Sequence, residues 1–496
     1  MRIFTAILSA KVANMQHSQL RFFTIGAAAS SSGLIGCTGV AWGHASERSH
    51  VLLLPTGHYL VGGALAVAAS FALLVLVDPI ALKRFVGEKV ARGPVRPRGR
   101  TVASLLSFLV LAALLAAGLL GSRDPLSNPL PLMFWSVFWV GLVFLQGVAG
   151  NVWFWLDPWY GPVRLARWLR GRPGEGAAMA YPGALAYWPA VAGFAGFAWF
   201  ELVHDAPDDP ARLATVLGLY WLATFAMMLL FGHREWSRKG EFLSVFLTMV
   251  GKIGVVSADG PDEGDKARPR VALSWPGARL ADQKPLPPSG TLFLVLALAS
   301  VSFDGLMRSF FWLGLAGINP LEFPGRSAVV WQNTAGIAAM AAVLGGAFLL
   351  AVWAGERLAG RRGSPWPAAG ALVWSLMPIA LAYHFSHYLT ALLINGQYAL
   401  AAISDPLANG WNLFGTAGLH VSAGLVLGAD SAWVLWNLQA GAIVLGHVMA
   451  VLAAHAIAGR LHGSAAAGAA SQAPLAALMV GYTVFGLWLL STPTGY

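Results

Sequence analysis

Four histidines, an aspartate and an arginine fall inside long apolar runs of this sequence, at spacings that a helix brings to one side. His384 and His387 stand three apart in Tyr383-His384-Phe385-Ser386-His387-Tyr388, so a helix turns both imidazoles to one face, as a metal ion held by one helix requires. A pair so spaced serves equally as a packing and hydrogen-bonding feature between helices. His447 and His455 lie two turns apart in the following run, and an antiparallel neighbour would bring His447 level with the first pair. Asp304 and Arg308 are four apart, a spacing at which they either neutralise each other or take part in catalysis. Glu201, His204 and Asp205 crowd the end of an earlier run. Ionisable groups at membrane depth are costly and so are functional candidates. Cys37 is the only cysteine, which removes disulfide frameworks and thiolate metal sites and leaves His, Asp and Glu as ligands. That donor set suits zinc, manganese, iron or copper(II).

The elements that must position these groups are membrane helices. Of 496 residues, 57% are hydrophobic and 11% charged, with a mean hydropathy of +0.63. Apolar runs of roughly 20 residues, enough to cross a bilayer, recur at 59–77, 102–120, 132–156, 184–203 and 212–231, then at 291–314, 329–353, 367–398, 433–458 and 474–490. The reading is an all-α polytopic bundle of about ten spans, lying in the lipid bilayer. The net charge of +10 does not point to nucleic acid, because the basic residues gather in short loops between the runs. Loops at 83–100, 164–172, 234–239 and 357–362 are rich in Lys and Arg, whereas the opposite loops hold only Arg123, Arg212 and Arg326. The positive-inside rule then puts the mature N-terminus and the C-terminus outside the cytoplasm of a multi-pass cell membrane protein.

Residues 1–45 read as a targeting segment, with Gly43-His44-Ala45 as a cleavage site or Leu34-Ile35-Gly36-Cys37 as a lipoprotein box. Residues 46–240 form a five-span half and 291–496 a second one, with an outer cap loop at 397–432. Between them, 241–290 is expected to hold an amphipathic helix on the cytoplasmic surface and a charged, proline-rich connector, in which 270–275 alternates like a strand of a small hairpin. Asp157-Pro158-Trp159 reads as a helix stop. The sequence has no HExxH, no GxSxG, no Walker loop and no GxGxxG, which argues against a zincin protease, a serine hydrolase of the usual kind and a nucleotide-driven pump.

Several motifs together resemble one family. Asp157-Pro158-Trp159, Gly240-Glu241-Phe242-Leu243-Ser244-Val245-Phe246, Phe303-Asp304-Gly305, His387-Tyr388, Asn395-Gly396-Gln397, Asp405-Pro406, Gly410-Trp411-Asn412-Leu413-Phe414-Gly415-Thr416 and Gly446-His447-Val448 are similar to bacterial multi-span proteins labelled fenitrothion hydrolase. The resemblance covers nearly the whole chain from His44 onward and implies hydrolysis of organophosphorus esters. A neutral, lipophilic triester of that kind is a small substrate that partitions into the bilayer. Under this expectation a divalent metal, zinc or manganese, is held by His384, His387 and His447 and activates a water, while Asp304 takes the proton or joins the ligands. The competing expectation is a metal-ion transporter or metal-handling protein that uses the same histidines, with His447 and His455 as a relay. Haem ligation by these histidines is a third, without a second signature to support it.

Overall fold

The computed structural model describes residues 56–77, 90–94, 99–171, 177–259, 270–322, 325–422 and 424–492. The targeting segment expected at 1–45 and much of the basic loop at 83–100 lie outside the described residues. The chain is a helical bundle with one small sheet in its connector, a multi-span membrane protein in contact with the lipid bilayer. Among the described residues nine helices are long and apolar enough to cross a membrane.

In chain order the helices are α1 (Thr56–Leu74), α2 (Arg100–Leu120), α3 (Pro129–Ala149), α4 (Tyr160–Leu169), α5 (Trp188–Leu202) and α6 (Pro210–Phe231). They continue with α7 (Phe242–Val250), α8 (Pro288–Met307), α9 (Val330–Leu358), α10 (Trp366–Ala402), α11 (Ala429–His462) and α12 (Ala465–Ser491). Sequence chemistry marks many of the starts. Asp209 accepts the Arg212 N–H with Pro210 behind it, Asn128 accepts the Leu130 N–H ahead of α3, and Ser464 accepts the Ala467 N–H. Gly150 ends α3 at φ 113°, where a Cβ would stand 2.0 Å from the Val256 carbonyl oxygen, so only glycine fits.

α8 is the axis of the fold. Nearly all of it is buried, and it packs against α5, α9 and α10. By contrast α1, α2 and α6 keep Leu65, Leu106, Leu109 and Leu219 exposed, as lipid-facing helices do. α10 is longer than a simple span and is interrupted by a tight turn at Val373–Leu376 just before Pro378. It is tied to α11 by a reciprocal pair, with Gln439 Nε2 donating to the Ser386 carbonyl (2.7 Å) and Ser386 Oγ to the Gln439 carbonyl (2.8 Å).

Two expectations change. The run at 184–203 yields α5, a helix of only 15 residues, because Gly183–Leu185 turns tightly and Pro189 sets the start at Trp188. It still runs beside α8, with the Tyr187 N–H on Ser289 at one end and Glu201 at the other. The second correction concerns α7, expected on the surface. Phe242, Leu243, Val245, Phe246, Leu247, Met249 and Val250 are all buried. Phe-Leu-Ser-Val-Phe-Leu-Thr-Met-Val carries no charge, and its only polar groups are the small hydroxyls of Ser244 and Thr248, so it has no strongly polar side to turn to water. Glu241 caps it from within the bundle, accepting the Leu243 and Ser244 N–H groups at 2.7 and 2.6 Å and the hydroxyl of Tyr220 midway along α6. α7 is therefore a short internal helix packed inside the bundle, not a surface one.

The connector folds as a three-stranded antiparallel sheet, ordered β1 (Val90–Pro94), β3 (Arg270–Leu273), β2 (Val256–Asp259). The alternating piece pairs as expected with β2, and β1 adds a third strand from the loop before α2. Arg279 locks the sheet to α7 by donating to the carbonyls of Gly251, Gly254 and Val256. α3 runs toward this sheet end, where Val255 N–H meets the Val148 carbonyl, from a cap end where Leu132 packs on Ala399 and Ala402. At the cap end the loop after α10 is ordered by its own side chains. Asp405 accepts the Asn409 and Gly410 N–H groups, both at 2.8 Å, and Gln397 Oε1 accepts the Ser422 N–H at 2.9 Å.

Candidate functional site

Asp304 sits on α8, near its cap end, at 1% exposure. One of its oxygens, Oδ2, accepts from His387 Nε2 at 2.8 Å and from the Tyr388 hydroxyl at 2.5 Å, both on α10. Its other oxygen lies 3.8 Å from Arg308 Nη2. The Tyr388 oxygen is also 3.2 Å from Glu201 Oε1 on α5. The Tyr388 hydroxyl donates to both carboxylates as a three-centre bond, with its shorter arm to Asp304. Three helices thus bring a histidine, a tyrosine and two carboxylates together. His387 stacks on Tyr383 (centroids 6.3 Å apart) and its side chain keeps 22% exposure, so the ring reaches the edge of the buried cluster.

The other expected ligands go elsewhere. His384 Nε2 donates to the Trp139 carbonyl on α3 at 2.9 Å, with the indole edge-on to its ring. Positions three apart on a helix differ by about 60° in direction, and α10 lies between α3 and α8, so the two imidazoles part to different neighbours. His447 Nδ1 donates to the Ile443 carbonyl of its own helix at 2.8 Å, and its ring rests near Tyr482. His455 Nε2 donates to the Val77 carbonyl at 3.0 Å. Among the described residues no three of His, Cys, Asp or Glu form a group that could hold a metal ion. The set His384, His387 and His447 does not fit the zinc or manganese expected for it, and the His447–His455 relay is likewise divided between separate partners.

What sequence reading missed is the link through Tyr388 to Glu201. Its signal was present as a carboxylate at the last turn of an apolar run, beside the more conspicuous His204 and Asp205. Those two face the surface, where Asp205 pairs with Arg212 at 2.9 Å.

A second acid–imidazole pair stands at the sheet end. Asp157 ends the turn after α3, outside the spans, and is 3% exposed. Its Oδ2 is 2.6 Å from His233 Nε2 and 4.0 Å from Arg100, and its Oδ1 accepts the Trp159 N–H at 2.9 Å. The Arg100 guanidinium lies over the rings of Phe154 and Tyr160, at 3.8 and 3.7 Å. Burial alone would push the Asp157 carboxyl up, but His233, the Trp159 N–H and Arg100 together hold it below its ordinary value of 3.8. A depressed carboxyl stabilises the fold above its unfolded value and ceases to do so as pH falls through the folded one. The melting temperature in detergent is therefore expected to drop below about pH 4. Asp157→Asn, which leaves His233 and Arg100 without their anion, is expected to cost about 3 kcal/mol at neutral pH and to flatten that acid limb. An unchanged acid limb in the variant would contradict this assignment.

Fold and site define the class: a multi-span helical membrane protein with a half-buried cluster of acids, a histidine and a tyrosine where α5, α8 and α10 meet. No family model, curated protein or solved structure matches the chain.

Proposed function

We propose that this chain is a membrane-embedded hydrolase of small, lipophilic organophosphorus triesters, in which His387 held by Asp304 is the general base. The observation that carries the reading is the 2.8 Å contact between His387 Nε2 and Asp304 Oδ2. Two of the motifs that resemble fenitrothion hydrolases, Phe303-Asp304-Gly305 and His387-Tyr388, meet at this point. With Nε2–H given to Asp304, the Nδ1 lone pair takes a proton from water. The water oxygen bonds to phosphorus as the phosphorus–aryloxide bond breaks, and the nitrophenolate leaves with the electron pair. Asp304 balances the imidazolium formed in between. A neutral triester reaches such a site from the lipid and needs no cationic cradle. The arginine-rich loops support an orientation in a cell membrane with the sheet end in the cytoplasm, which puts the cluster nearer the opposite face.

A second reading is favoured by a different observation, the Tyr388 hydroxyl shared between Glu201 and Asp304. Linked carboxylates and imidazoles in broken helices also serve proton-coupled transporters. One assay separates the two. Purified protein in detergent is expected to release nitrophenol from a nitrophenyl dialkyl phosphorothioate, and His387→Ala to abolish the release. Absent hydrolysis together with pH-gradient-driven uptake into proteoliposomes would establish the transporter instead.

A further inference from the structure

α4 is too short to cross a bilayer, yet it turns large apolar side chains outward. Leu165, Trp168 and Leu169 are 47%, 66% and 70% exposed. Positions 164, 165, 168 and 169 share one face of a helix, and Arg164 is the fourth exposed residue on it. The opposite face is fixed at two places. The Gly161 N–H donates to Ser104 Oγ near the start of α2 at 2.7 Å, and Arg167 Nη2 donates to the Met228 carbonyl near the end of α6 at 3.4 Å. At a rise of 1.5 Å per residue these anchors lie about 6 Å and about 5 Å inside the ends of two spans. A helix that lies flat in a membrane interface is buried about 5–10 Å into the boundary between headgroups and acyl chains. α4 falls at that level.

Charge says which lipid meets it. From Tyr160 to Gly171 the chain holds Arg164, Arg167 and Arg170 and no acid. Arg167 is buried, whereas Arg164 and Arg170 are exposed at the two ends of the apolar face. Among the described residues neither of these two has a carboxylate partner. Arg164 is oriented instead by the Tyr160 hydroxyl, to which its Nη1 donates at 3.0 Å. Guanidinium groups bind phosphate oxygens strongly. A zwitterionic headgroup brings its own cation against these arginines, and an anionic one does not.

We infer that α4 is a binding site for anionic phospholipid in the leaflet at the sheet end. Arg164 and Arg170 hold the headgroup phosphate while Leu165, Trp168 and Leu169 lie among the acyl chains, with the indole at the level that tryptophan favours. A soluble protein would have to enter the bilayer to cover the same face. The inference goes beyond the reaction proposed above and does not depend on it.

The test is native mass spectrometry of the purified full chain in detergent, titrated with phosphatidylglycerol and, separately, with phosphatidylcholine. Wild type is expected to bind phosphatidylglycerol more tightly. Arg164→Gln with Arg170→Gln is expected to weaken that binding about 25-fold, roughly fivefold for each arginine at an anionic surface, and to leave phosphatidylcholine binding as it was. Equal affinities for the two lipids in wild type, or an unchanged affinity for phosphatidylglycerol in the variant, overturn the inference. Depth is read separately in nanodiscs of the two lipids. With Cys37→Ser and Trp168→Cys, a fluorescent label at position 168 is expected to be quenched by lipid spin-labelled high on its acyl chain and shielded from a water-soluble quencher. Quenching from water alone would put α4 off the membrane and leave its face to a soluble partner, which contradicts the inference.

Discussion

Asp304→Asn is expected to lower kcat for nitrophenyl phosphorothioate cleavage by about a thousandfold, within the range ascribed to general base catalysis, with KM little changed. Asparagine is nearly the same size and keeps an oxygen that can accept from His387 Nε2, so the buried cavity stays filled. It cannot, however, balance the imidazolium that forms when His387 takes a proton. Its amide also offers two N–H donors, which compete to face the ring and turn the wrong tautomer toward water. The Tyr388 hydroxyl loses its ionised acceptor at the same time. For the neutral, lipophilic substrate proposed above, removing one negative charge leaves binding little reason to change. Steady-state kinetics of nitrophenol release check this. A kcat within about threefold of wild type, well below any general base effect, would remove Asp304 from the mechanism.

Gly355→Ala is expected to be among the most damaging single-methyl changes in the bundle. At the crossing of α9 and α12 a Cβ on residue 355 would lie 1.9 Å from the Ser471 carbonyl oxygen. That neighbour is backbone within a helix and cannot rotate away, so the helices must separate. Forcing a methyl into packed structure costs about 1–3 kcal/mol, and here the two helices lose their mutual fit over the whole crossing. Gly346, nine residues earlier on α9, has nothing within 4 Å of its Cβ position. Gly346→Ala is the control, expected to be neutral or stabilising by about 0.5–1 kcal/mol, the gain of alanine over glycine within a helix. Thermal unfolding of both variants in detergent gives the comparison. Equal melting temperatures would show that the close approach of α9 and α12 does not hold the bundle together.

The spans were legible in the sequence because a bilayer imposes length and hydropathy on each segment separately. α8 and α10 read correctly as crossings, although nothing in their composition marked α8 as the axis or α10 as broken at Val373–Leu376. α7 was misread because the segment from Phe242 to Val256, interrupted by Lys252, is too short to span, and a surface position was the simplest alternative. The buried cap on Glu241, which depends on Tyr220 in another helix, was the missing information. The candidate site shows the same limit. Local spacing grouped His384 with His387 and Asp304 with Arg308, yet the contact that matters joins His387 to Asp304, 83 residues away in sequence. Residue types and depth were visible in the sequence. The partner of each was not, because it depends on which helices are neighbours and on the 60° by which α10 parts its two imidazoles.

A double-mutant cycle on His387 and Asp304 tests most directly whether they work as one unit. Groups that act together are strongly non-additive, so the His387→Ala, Asp304→Asn double variant is expected to cleave the phosphorothioate no more slowly than His387→Ala alone. If the two losses multiply instead, each residue acts by itself, and the account of a base held and charged by its aspartate is wrong.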